Sequence, residues 1–121
     1  MEGKNQDIEE RTFKFTVRVI KMVTSLSRNN VVTWKLGGQL IDSSASINSN
    51  VVQAKAAVSK ADFTNHMRIA RKEAKESQRW IQMLIAIGIV SKQQTELLLR
   101  ECTEIVSILY AIVKTSEKNK K

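Results

Sequence analysis

Apolar residues recur at steps of three and four along four separate stretches of this chain, a period that predicts four helices. The first is expected over about residues 7–26. On a wheel turning 100° per residue, Ile8, Phe15, Val19, Met22 and Leu26 fall on one side and read as a core seam. A second strip, Phe13, Val17, Ile20 and Thr24, adjoins it, so more than half the circumference is non-polar. That is wider than the single stripe a monomeric bundle helix buries, and the surplus predicts a face for self-association. What remains is basic: Arg11, Lys14, Arg18 and Lys21 share an arc of roughly 80°.

Ser27 to Val32 reads as a turn, since Ser and Asn side chains compete for nearby backbone groups. Thr33 is the expected N-cap of a second helix running to about residue 55. Its inward face passes through Gly37, Leu40, Ser44, Ile47, Val51 and Ala54. Gly37 and Gly38 each cost a helix about 1 kcal/mol relative to Ala, so their presence, with Ser43 to Ser46 just downstream, implies a close helix-helix approach. A short link then leads to Ser59 and Asp62, spaced as a capping box, and to a third helix over about 59–87. Phe63, Met67, Ala70, Ala74, Ser77, Ile81 and Leu84 form its seam. On another face, Arg68, Arg71, Lys72, Lys75 and Arg79 lie within an arc of roughly 100°. Glu76 is placed to pair with Lys72 or Arg79, while Glu73 lies to the side.

Gly88 is expected to end the third helix, and Ser91 with Gln94 to cap a fourth over about 92–115. Leu98, Cys102, Ile105, Leu109 and Ile112 supply the last seam, flanked by Leu99, Val106 and Val113, and the tail SEKNKK is expected to fray. Short connections make sequential helices antiparallel neighbours. The fold class that follows is all-α, an antiparallel up-down-up-down four-helix bundle.

Composition agrees with one such domain. The chain has 121 residues, 42% of them hydrophobic, with four Gly and no Pro to make the frequent turns of an all-β fold. Its N-terminus, MEGKNQDIEE, is polar where a signal peptide would be apolar, and its one Cys excludes an intrachain disulfide, so a cytoplasmic protein is expected. The longest apolar run, Trp80 to Val90, is about half the ~20 residues a membrane span needs. Charge changes the picture more. Twenty Lys and Arg against 12 Asp and Glu give +8, a field that attracts polyanions, so nucleic acid leads the candidate partners. The plainer reading is that positive charge keeps an oligomer soluble.

Catalytic and metal chemistry find no foothold. A nucleophilic serine needs a base beside it, and the one histidine, His66, lies in a different segment from the serine run. A bundle di-iron site needs Glu-x-x-His twice, and the residue three before His66 is Phe63. Cys102 is expected to be a small core residue, with no activating group near it in sequence. Neither catalytic residue, metal nor cofactor is expected.

One stretch carries a resemblance. Gln39-Leu40, then Ser46-Ile47-Asn48-Ser49-Asn50-Val51-Val52-Gln53-Ala54, then Ser59, Asp62 and Phe63, and finally Ile69-Ala70-Arg71-Lys72-Glu73-Ala74-Lys75-Glu76 with Trp80 resemble the bacterial four-helix-bundle proteins. That family includes those encoded by intervening sequences in 23S ribosomal RNA genes and the accessory variability determinants of diversity-generating retroelements. Gln53 departs from the family's usual Glu, and Asn48 and Ser49 from its Gly or Pro and Ala. The resemblance implies a homopentameric ring of bundles without enzymatic activity, and for the retroelement branch a reverse transcriptase and nucleic acid as partners. Asn50 matches the family's recurring Asn and reads as a buried amide hydrogen-bonded across the bundle, a structural residue alongside Ser59, Asp62 and Trp80.

The leading expectation is thus a homo-oligomeric module that contacts nucleic-acid phosphates through Arg11, Lys14, Arg18, Lys21, Arg68, Arg71, Lys72, Lys75 and Arg79. Few exposed aromatics are expected, hence no base stacking. The alternative is a scaffold whose basic face docks a protein partner such as a reverse transcriptase.

Overall fold

The computed structural model describes residues 7–26 and 29–118. They form four α-helices and, among the described residues, no strand: α1 (Ile8–Thr24), α2 (Val31–Lys55), α3 (Lys60–Ala86) and α4 (Lys92–Lys118). Each helix packs against its neighbours in sequence and α4 closes back on α1, leaving α1 and α3 on the diagonal. Cross-helix contacts run in opposite order on paired helices. Ser43 and Asn50 of α2 meet Ser77 and His66 of α3, while Thr64 and Gln78 of α3 meet Ser116 and Thr103 of α4. The bundle is therefore antiparallel, up-down-up-down.

The helix ends follow local chemistry. Asn30, not Thr33, caps α2: its Oδ1 accepts from the Val32 and Thr33 amides at 2.9 and 3.2 Å, so the cap lies three residues before the expected position and Thr33 is buried in the first turn. Two residues of the expected turn, Ser27 and Arg28, lie outside the described residues. Ser59 and Ser91 accept from the Asp62 and Gln94 amides at 3.1 and 2.9 Å. Gly88 follows the end of α3 at φ +80, a left-handed position that favours glycine. The fourth helix continues through Lys118, three residues past the expected end and into the tail; residues 119–121 lie outside the described residues.

The core is built from the predicted seams, with Phe15, Leu40, Ile47, Met67, Ile81, Leu84, Ile105 and Leu109 fully buried. Val113, expected beside the α4 seam, is at its centre. Hydroxyls thread this core. Thr16 donates to the Ser44 carbonyl of α2 at 2.9 Å, the Ser43 and Ser77 hydroxyls bond at 2.7 Å between α2 and α3, and Thr64 bonds Ser116 between α3 and α4. Every buried side-chain nitrogen and oxygen among the described residues has a partner, as burial without one would cost about 1 to 3 kcal/mol per group.

The small-residue run on α2 thus has specific work. A Cβ on Gly37 would lie 2.7 Å from Val23 Cγ1, so this glycine makes room for a side chain of α1 and lets that helix approach. Gly38 faces open space and has no such role.

Candidate functional site

The nine predicted cations do not form one surface. Arg11 is drawn inward: its Nη2 lies 2.9 Å from Glu101 and 2.7 Å from Glu104 on α4, and its side chain is only 18% exposed. The hydrogen bonds it donates to the Glu101 carboxylate hold its pKa above the ordinary guanidinium value. Arg11, expected as a phosphate contact, thus forms a strut between α1 and α4. Lys14 pairs with Glu10 one turn away at 3.2 Å.

On α3, Arg68 pairs with Glu117 of α4 at 2.6 Å, and the Arg71 guanidinium carbon stands 4.7 Å from the centroid of the Tyr110 ring, also on α4. Glu76 reaches neither Lys72 nor Arg79, contrary to the helical spacing argument; Arg79 instead donates to Gln82 at 3.3 Å. Among the described residues, Arg18, Lys21, Lys72, Lys75 and Arg79 take part in no ion pair. The basic set therefore divides into Arg11 and Arg68, which tie α1 and α3 to carboxylates of α4, Lys14 and Arg71, held by Glu10 and the Tyr110 ring, and five cations that face solvent. The latter form a pair on α1 and a trio on α3, on opposite flanks of α4. Beside the trio, Lys75, Gln78, Arg79 and Gln82 line a shallow polar depression of about 290 Å³, and Gln78 is held there by donating to Thr103 Oγ1 at 3.0 Å.

The structural set sits elsewhere. Asn50 Oδ1 lies 3.1 Å from His66 Nδ1, joining α2 to α3, while its amide nitrogen donates to the Ser46 carbonyl and hydroxyl. It is half-buried, not fully enclosed. The Asp62 carboxylate stands 4.0 Å from His66 Nε2. Trp80 packs half-buried against the core. Asn48, which departs from the family's usual Gly or Pro, donates to the Glu9 carbonyl and Thr12 Oγ1 at 3.1 and 3.0 Å, so it joins α1 to α2. Cys102 is fully buried against the Ala74 carbonyl, and burial pushes its thiol up to about 12. Among the described residues no cluster of His, Cys, Asp or Glu is placed to hold a metal ion, and no helix is long and apolar enough to cross a membrane.

Aromatic exposure was the signal the sequence reading missed. Trp34 is 65% exposed, Phe13 58% and Tyr110 47%. Trp34 and Val52 project on the same side of α2, about 27 Å apart along it, and Phe13 and Ile20 are exposed on the adjoining α1.

The model of the 23S rRNA-intervening sequence protein family matches residues 4–111, nearly the whole chain. The chain belongs to this family. A crystal structure of a protein of unknown function from the S23 ribosomal protein family, from Bacteroides thetaiotaomicron, has the same fold. It is 31% identical, with a TM-score of 0.83 over 89% of this chain and 99% of that one. No curated protein matches the sequence significantly. The pattern of ion pairs separates the charges that brace the bundle from those that face solvent.

Proposed function

We propose that this intervening sequence protein is a non-enzymatic, homo-oligomeric module that binds nucleic acid through backbone phosphates, with Lys72, Lys75 and Arg79 of α3 as the principal contacts and Arg18 and Lys21 of α1 as a second set. The observation that carries the reading is the unpaired trio on α3, in a chain of net charge +8. Each such cation can displace a counterion from the backbone, so affinity follows salt linearly on a log-log plot with a slope of about −0.9 per phosphate for a duplex. Three contacts imply a loss of about 40-fold between 50 and 200 mM salt. An anisotropy titration with a labelled oligonucleotide tests this. Absence of binding at 50 mM, or binding indifferent to salt, overturns it.

Self-association is part of the proposal, and the exposure of Phe13, Ile20, Trp34 and Val52 on the first two helices supports it, as large apolar side chains in water are candidates for burial between copies. The family resemblance favours a pentameric ring. Light scattering at micromolar concentration should give a multiple of the 13.7 kDa chain mass, reduced by Trp34→Lys; a monomeric parent contradicts this part.

A further inference from the structure

Two rungs join the outer seam of α3 and α4. One is Gln78 bonded to Thr103; the other is Arg71 over the Tyr110 ring. Thr103 and Tyr110 are seven residues apart on α4, about 10 Å at 1.5 Å per residue, and sit on one stripe of the helix. Lys75 lies between the rungs, one turn beyond Arg71, and Arg79 follows one turn later. The seam therefore sets an exposed aromatic ring, a guanidinium placed over it, and two cations with no ion pair along one side of α3. A patch that bound phosphate alone would need no ring in it.

We propose that this seam is a binding track for single-stranded nucleic acid, in which an unpaired base stacks on the Tyr110 and Arg71 pair while Lys75 and Arg79 hold the phosphates that follow. Aromatic rings and Arg planes are the surfaces on which splayed bases stack, tolerant of sequence because every base has a π-face. Arg71 is oriented for this before any ligand arrives, since the ring attracts its charge. Gln78 and Gln82, lining the depression between the cations, offer amide groups to a sugar or base edge. A duplex keeps its bases stacked inside and can use the cations but not the ring. The paired Arg68, tied to Glu117, marks the end of the track.

The inference rests on the nucleic-acid reading above, and the experiment separates the two. Anisotropy is measured at 50 mM salt with labelled 12-mers of rU and dT and with a 12-base-pair duplex, for the full chain and for Tyr110→Ala, Tyr110→Phe and the double variant Lys75→Ala, Arg79→Ala. Circular dichroism checks the fold of each. The expected result is preference for the single strands, a loss of about 10-fold or more for Tyr110→Ala with the salt slope unchanged, and near-parental affinity for Tyr110→Phe. The double variant should instead lower the slope by about 1.4 on a single strand. Tight binding that Tyr110→Ala leaves intact, or equal affinity for the duplex, overturns the track while the phosphate reading survives. No binding to any of the three overturns both.

Discussion

Gly37 and Gly38 are adjacent in sequence and opposite in consequence. Replacing either by Ala removes the entropic penalty of glycine in a helix, a gain of about 1 kcal/mol. At Gly38 nothing lies within 4 Å of the new methyl, so the gain stands. At Gly37 the methyl would sit 2.7 Å from Val23 Cγ1, and valine in a helix has one strongly preferred rotamer, so it cannot swing away at little cost. Overpacking of this kind costs about 1 to 3 kcal/mol, which cancels or outweighs the propensity gain. For a chain of this length 1 kcal/mol corresponds to about 4 °C in Tm. Calorimetry should therefore show Gly38→Ala melting about 4 °C higher and Gly37→Ala between unchanged and about 8 °C lower. In a Val23→Ala background the clash is gone, and Gly37→Ala should become stabilising. Equal shifts for the two glycines, or a Gly37→Ala penalty that persists without the Val23 side chain, would refute this account of the α1 and α2 approach.

Two other expectations concern titratable groups. Glu73 has its pKa raised by burial and by Glu76, against the pull of Lys72. A raised folded value means that the acid is better accommodated protonated: stability is present below its unfolded pKa and lost as pH rises through the folded one. Glu73→Gln should then raise Tm at pH 7 and leave it unchanged at pH 3; a drop at pH 7 contradicts the burial argument. Cys102, with its thiol pushed up to about 12 and no exposed surface, should react with a thiol reagent at pH 8 only at the rate of opening of the bundle, speeding up in denaturant. Labelling of the native protein within seconds would place the thiol elsewhere.

Periodicity made the four helices legible because the core seams are a local property: Leu40, Ile47 and Val51, or Met67, Ala70 and Ala74, declare their face within a few turns. Caps were less so. Asn30 and Thr33 are both good N-cap residues, and only the backbone shows Asn30 accepting from two amides. The candidate site was legible in its charges and not in their fates. That Arg11 would be taken by Glu101 and Glu104, some 90 residues later, depends on how α1 lies against α4, which helical spacing does not encode. The same is true of Tyr110, whose meaning comes from Arg71 on the neighbouring helix.

The division between bracing and free cations is tested most directly by the salt dependence of oligonucleotide binding in two variants. Removing Lys72, Lys75 and Arg79 together should reduce the log-log slope by about 2 to 3 on a duplex. Removing Arg11 and Arg68, already held by Glu101, Glu104 and Glu117, should change it by less than about 1 while lowering Tm. A slope that the first variant leaves intact, or that both variants reduce alike, would contradict the account.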